Sequence, residues 1–508
     1  GDAEFGLREL EAAASIDPNQ NQADIALVFS HLRRGDGSKA LAAARALTEK
    51  QPKNPVSFQL LGGVQLAQKD RAGARASFER ALALAPSYVP AASSLAEMDL
   101  ADKKPDAARS RFAAMLAKDP KNEQILLAQA EFEARAGAPA KDVTALLLKA
   151  VAINPQSPNA RLALINYHLR AKDPRAALGA AQEAAAALPN DTRVIEALAF
   201  AQEAAGETNQ ALESLNRLIA LRPGTAEPLL KLAALHARSG GYERAIEALK
   251  RAQKLAPENR QIDRDLVGLL LLQRKPEEAL RQVRDLQARA PKYAGGFVLE
   301  GDVFIAQRKF AEAERAYREA LKLEPTGAVA AKLIAVLGES GKSKEAETFT
   351  ARWLAEQPRD VAVRLFLADR ALRQRELKAA ATHYTAVIGV EPNNVVALNN
   401  LAWIGGETGD PKAVAYAERA AKLAPNNASV LDTLGMLLVK RGETERGLQH
   451  LAQARKLAPA RFDLRLNHAR ALAAAGQKEA ARKELQAIVE TKEEIAEKRV
   501  AAELLKTL

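Results

Sequence analysis

The chain has 508 residues, no cysteine, 48% hydrophobic but only 4% aromatic residues, and a net charge of +11 from 74 basic and 63 acidic side chains. The missing cysteines exclude disulfides, thiol catalysis and cysteine-held metals, and the longest apolar run, Leu266 to Leu272, is far shorter than the about 18 residues of a membrane-spanning helix. The two charge signs interleave, as in Arg441-Gly442-Glu443-Thr444-Glu445-Arg446, and no basic stripe carries stacking aromatics, so no nucleic acid partner is expected.

In chain order, residues 3–16 read as a helix closed by Pro18. Gly1-Asp2 before it matches a later turn, Gly409-Asp410, so residues 1–18 are expected to be an orphan half repeat in a chain truncated upstream. The same unit then recurs. Ala74 to Pro86, Ala-Arg-Ala-Ser-Phe-Glu-Arg-Ala-Leu-Ala-Leu-Ala-Pro, is a short amphipathic helix that its proline cannot continue. Fourteen prolines from Pro18 to Pro459 close such helices at intervals of 33 to 35 residues. A small residue stands 12 positions before nearly every one, as at Ala40, Ala74, Ala211 and Gly447, with Val143 the exception. A second small residue lies about 24 before (Gly62, Ala96, Gly301, Gly435), and an aromatic or leucine eight before (Phe78, Phe112, Tyr317, Tyr384). Small residues let two helices touch, and large ones fill the layer between neighbouring repeats.

A fixed period near 34 with these markers identifies the chain as a tetratricopeptide repeat (TPR) solenoid: all-α, a right-handed superhelix of about fourteen helix pairs, A and B, over residues 19–490. Gly206, Gly240-Gly241 and Gly442 mark A–B turns. The repeat ending at Pro155 is one residue long, and its turn, Ala136 to Ala140, is expected to be remodelled. Those ending at Pro358 and Pro425 are one short, which predicts local kinks. Residues 491–508 read as one amphipathic capping helix, with Ile495, Val500, Leu504 and Leu505 on the final repeat and Glu493, Glu494, Glu497 and Lys498 in water.

Chemistry is sparse. His31, His168, His236, His383, His450 and His468 show no metal-ligand spacing. Gly341-Lys342-Ser343 resembles the tail of a phosphate-binding loop, but Val336 stands where the loop needs glycine and a helix precedes it; it reads as an A–B turn. No nucleophile meets a base, so neither an enzyme nor a cofactor is expected. Binding remains. In a TPR array helix A lines the concave groove, and position 9 of the repeat points into it. Glu97, Glu131, Asn166, Phe200, Asp302, Asp369, Trp403 and Met436 stand there, with Asn399 beside them. The groove reads as acidic at Glu97, Glu131, Asp302 and Asp369 and apolar at Phe200, Trp403 and Met436, a track for a peptide or protein with aromatic anchors. The lysine-then-asparagine clamp of chaperone-binding TPR domains is absent; Asn399 and Asn400 are isolated pieces of it.

The segments Leu398-Asn-Asn-Leu-Ala-Trp403, Tyr416-Ala-Glu-Arg-Ala420, Leu423-Ala-Pro-Asn-Asn427 and Val430-Leu-Asp-Thr-Leu-Gly435 resemble the exosortase-associated (PEP-CTERM system) TPR lipoproteins, as do Ala163 to His168 and Gly296 to Asp302. The resemblance implies a periplasmic or outer-membrane-associated protein of Gram-negative bacteria, tied to exopolysaccharide production and protein sorting, with a lipid anchor on an upstream part. The residues alone suit cytoplasm and periplasm equally. The expectation is a non-catalytic protein-interaction scaffold. Two other readings share the fold: a polysaccharide-binding export chaperone, which Trp353 and Trp403 as the only tryptophans make weaker, and the regulatory arm of a glycosyltransferase.

Overall fold

The computed structural model describes residues 6, 9–13 and 22–508. The half repeat expected over 1–18 lies largely outside these residues; within it, residues 9–13 are helical. Among the described residues no strand occurs, and A and B helices alternate throughout. Most A helices have 13 residues and most B helices 14, as in Val89–Ala101 followed by Pro105–Lys118.

Local chemistry sets both ends of these helices. Several A helices start on an Asn or Asp whose side chain accepts an otherwise orphaned backbone N–H. Asn54 accepts from Val56 at 3.0 Å, Asn394 from Ala397 at 3.0 Å and Asp360 from Val363 at 3.0 Å. Each A helix ends on a residue with positive φ. Eight of these are glycines, including Gly35, Gly137 and Gly409, and six are Lys69, Lys103, Lys172, Arg274, Arg308 and Arg375, with φ between 57° and 68°. The next amide then turns back to the helix: Asp70 N–H reaches the Gln65 carbonyl at 2.9 Å, and Lys104 N–H that of Asp99 at 2.7 Å. Sequence reading found the glycine turns and missed the basic ones.

The chain divides into two compact units, residues 1–259 and 260–508. Both are built alike. In the first, Gly62 on helix A takes the ring of Phe78 on helix B directly against its Cα, and Phe78 joins Ala74, Ala81 and Leu95 in the core. In the second, Gly301 does the same for Tyr317. Gly435 and Gly447 bring two backbones together, a β-carbon on either lying under 3 Å from the other's carbonyl oxygen. Val143, the exception to the small-residue rule, is buried with Ala130, Leu147 and Leu164.

The irregular repeats absorb their length changes at identifiable places. The extra residue of the long repeat sits in the turn after Gly137, where helix B begins at Ala140 with Pro139 as its cap. The first short repeat loses a residue from the loop between Leu323 and Gly327. The second loses it near Gly409, and its B helix, Ala413–Leu423, has only 11 residues.

The capping helix expected over 491–508 spans only Glu497–Leu505. The charged segment before it is not α-helical, and the Thr491 hydroxyl accepts from Glu493 N–H at 3.4 Å, a local turn that competes with helix. Ile495, Val500, Leu504 and Leu505 pack on Leu466, Leu485 and Ile488. Glu493 and Glu494 are exposed, while Glu497 and Lys498 are half-buried.

Candidate functional site: the helix A surface

Within each unit, several successive A helices approach one another closely. Val89–Ala101 meets Glu123–Arg135, and Ala428–Lys440 meets both Val395–Thr408 and Phe462–Ala474; no successive pair of B helices comes as close. The A helices therefore occupy the tighter, inner side of each unit. The candidate residues fall on two separate surfaces. Glu97, Glu131, Asn166 and Phe200 belong to the first unit, and Asp302, Asp369, Asn399, Trp403 and Met436 to the second.

Position 9 carries the exposed residues expected of it at Glu97, Glu131, Asn166, Phe200 and Trp403, while Asp302, Asp369, Asn399 and Met436 are half-buried. Phe200 is 45% and Trp403 41% exposed. Trp353, by contrast, is 6% exposed; it packs on Phe349 and donates its indole N–H to Asp360 at 2.8 Å. One tryptophan thus serves the core and one the surface.

The acidic character expected of the groove is largely cancelled. Glu97 pairs with Arg135 of the next A helix, and Glu131 with Arg170 at 2.8 Å. Glu203 pairs with Arg238 at 2.6 Å, and Glu196 with Lys231, whose ammonium also lies 5.5 Å from the centre of the Phe200 ring. Burial lowers the Lys231 pKa. In the second unit Asp302 accepts from Lys332 and from the Tyr317 hydroxyl, each at 2.6 Å. Asp369 accepts from the Tyr384 hydroxyl, which in turn accepts from Asn400 at 2.8 Å. Burial, followed by the carboxylate each one bonds, raises the pKa of both tyrosines. The acid–base pairs cross from one repeat to the next, while the acid–hydroxyl bonds join helix A to helix B within a repeat. The basic partners were missed because they lie 30 to 39 residues away. The recoverable signal was arginine two residues before the positive-φ turn, at Arg135, Arg170 and Arg238.

The two weaker motifs resolve simply. Gly341-Lys342-Ser343 is an A–B turn, with Gly341 at φ +78° and Lys342 bonded to Glu314 at 2.7 Å. His31, His236 and His468 are buried, and no group of metal-binding side chains occurs among the described residues. No described helix is long and apolar enough to cross a membrane.

Alternating A and B helices, with the A helices on one side of each unit, are the architecture of a helical repeat protein. The sequence matches tetratricopeptide repeats over residues 25–89, 65–132, 196–225, 230–294, 298–361, 365–428 and 433–494, more than half of its length. The chain belongs to the tetratricopeptide repeat family. Among solved structures it is similar to yeast Tom70, at 15% identity and TM-score 0.39, over 96% of this chain and 99% of that one. It is also similar to the APC/C heterotetramer Cut9–Hcn1, at 14% identity and TM-score 0.35, over 99% and 98%. Naa15/Naa10 bound to HypK-THB matches at 16% identity and TM-score 0.38, over 93% and 68%. No curated protein matches.

Proposed function

We propose that this chain is a non-catalytic protein-interaction scaffold that binds peptide or protein partners on its helix A surface. The observation that carries the reading is the exposure of aromatics on A helices of each unit, Phe29 and Phe200 in the first and Trp403 in the second, beside charges that pair with one another. Exposed aromatic anchors on a rigid surface are what binding hot spots are made of. The setting is a Gram-negative envelope system for exopolysaccharide production and sorting of PEP-CTERM proteins, periplasmic or attached to the outer membrane by an upstream lipid anchor. That part rests on the segments Leu398–Trp403, Leu423–Asn427 and Val430–Gly435.

The test is in-cell photocrosslinking from position 403, with Leu457, exposed on a B helix, as the outer-face control. Envelope proteins trapped from 403 and not from 457 support the reading and name the partner. Equal trapping from both positions, or none, overturns it, and purified exopolysaccharide then becomes the ligand to assay.

A further inference from the structure

Two repeats of the first unit bridge helix B to the next helix A with the same pair. Arg75, fifth in helix Arg71–Leu84, reaches Asp99 at 2.8 Å, and Arg109, fifth in Pro105–Lys118, reaches Glu133 at 3.0 Å. Asp99 and Glu133 hold one place in helix A, marked by a carbonyl that accepts the N–H five residues on, from Lys104 at 2.7 Å and from Ala138 at 3.0 Å. In the following repeat that place belongs to His168, whose carbonyl accepts from Asp173 N–H at 3.0 Å. The fifth residue of the facing B helix, Ala140–Ile153, is Thr144. Threonine is too short to replace the arginine, and a cleft of about 530 Å³ stays open between this B helix and the A–B turn at Ala171 to Asp173. The clefts between neighbouring A helices hold about 100 to 140 Å³ each. Of these four, the cleft beside Thr144 is the one with the volume of a small-molecule site.

The lining defines an occupant. It is largely apolar, with Ala145, Leu148 and Ala171 beside the rings of Tyr167 and His168, which lie 5.5 Å apart and tilted by 59°. Leu148 is 48% exposed and stands ninth in its helix, where the two B helices with the arginine have Glu79 and Ala113. An aromatic molecule gains burial on that leucine and edge or face contact with the rings. Burial lowers the His168 pKa against a smaller pull from Asp173, so the imidazole adds no charge at neutral pH. Lys141 also lines the cleft, and its ammonium makes no ion pair among the described residues. Exposed Lys149, Lys172 and Arg175 flank the lining residues and are likewise unpaired. Against these four bases, segments 140–149 and 171–175 carry two acids, Asp142 and Asp173, and one Asp173 oxygen already accepts the Ala176 N–H at 3.0 Å. The local field therefore selects an anion.

We propose that this cleft binds an amphipathic aromatic anion, with its ring system against Leu148 and Tyr167 and its acidic group at the Lys141 ammonium. None of the candidate residues of the helix A surface lines it. The inference therefore does not rest on the scaffold reading and adds a small-molecule site to it.

The probes are two fluorescent dyes that share one ring system, anilinonaphthalene sulfonate and its uncharged relative phenylnaphthylamine, titrated into the whole chain. The sulfonate binds more tightly, and Lys141→Gln weakens it by about threefold while leaving the uncharged dye unchanged, the scale of a charge contact at a partly exposed rim. The double variant Thr144→Arg with His168→Glu rebuilds the Arg109–Glu133 pair of the preceding repeat and closes the cleft without changing the net charge. It loses at least about tenfold for both dyes, the scale of one well-buried apolar group. Circular dichroism checks that both variants stay folded, as expected for an exposed lysine and for a pair the neighbouring repeat already carries. A double variant that binds the dyes as the parent does, or a parent that binds neither, overturns the site. Equal affinity of the parent for the two dyes, or a Lys141→Gln variant that holds the sulfonate as before, overturns the choice of an anion. The crosslinking from position 403 reads a different surface, so the scaffold reading stands or falls separately.

Discussion

Gly62 lies so close to Phe78 that a β-carbon there would sit 2.5 Å from the ring, while Gly63, one residue on, has nothing within 4 Å of the same atom. Two adjacent glycines in one helix therefore have opposite reasons to exist. Gly62→Ala forces the ring aside, costing about 1–3 kcal/mol against a helix-propensity gain of under about 1 kcal/mol. Gly63→Ala keeps only the gain. Urea midpoints of the two variants should move in opposite directions.

The six lysines and arginines at positive φ carry a conformational cost that glycine avoids, about 1–2 kcal/mol for the left-handed region. Lys69→Gly, Lys103→Gly and Arg308→Gly should each stabilise by about 0.5–1 kcal/mol once glycine's greater unfolded-state freedom is set against it. Gly206→Lys should destabilise by a similar amount. Thermal denaturation of the four variants checks both signs.

Burial lifts the Asp432 carboxyl from its ordinary 3.8 to about 6, a shift that a hydrogen bond from Asn467 at 2.9 Å only partly offsets. Asp463 raises it further and Arg461 opposes. The folded state then binds the proton more tightly than the unfolded chain. The stability that this carboxyl contributes is fully present below about pH 4, falls as pH rises toward 6 and is lost above it, about 3 kcal/mol from the size of the shift. Asp432→Asn should flatten that limb and raise the denaturation midpoint at pH 8. A wild-type stability that rises between pH 4 and 6 by more than the variant's would contradict this.

Glu97 and Asp99 sit two residues apart and face opposite ways. Glu97 is exposed with Arg135; Asp99 is 2% exposed between Arg75 at 2.8 Å and Arg111 at 2.9 Å. Glu97→Gln should cost at most about 1 kcal/mol, as exposed pairs do. Asp99→Asn strips two guanidinium groups of their buried partner and should cost about 3 kcal/mol. Chemical denaturation in low and high salt separates them, since only the surface pair is screened.

Much of this was legible in the chain because period and residue size act locally. Pro86, Ala74 and Phe78 announce a helix end, a close crossing and a filled layer, and each is found there. Two things were not legible. The left-handed turns at Lys69 or Arg375 follow from closing the backbone between two helices, and a lysine side chain carries no mark of it. The neutralisation of Glu131 by Arg170 depends on which helices lie side by side, so the acids read as open until the fold placed a base beside Glu97, Glu131 and Asp302 and a tyrosine hydroxyl beside Asp369. Trp353 and Trp403 make the same point: identical in type, they are separated by their places in the repeat, one in the core on a B helix and one at the surface on an A helix.

The turns that absorb length changes bear on how such a chain can vary. The long repeat puts its extra residue between Gly137 and Ala140, and the first short one drops a residue between Leu323 and Gly327, while the flanking helices keep 13 or 14 residues. A residue added inside a helix would rotate everything after it by about 100° and scramble which side chains meet. Added at a joint, it leaves the phase of every helix intact. The stretch from one positive-φ turn to the next is therefore a cassette, and recombination can duplicate, delete or exchange it while the rest of the surface stays in frame.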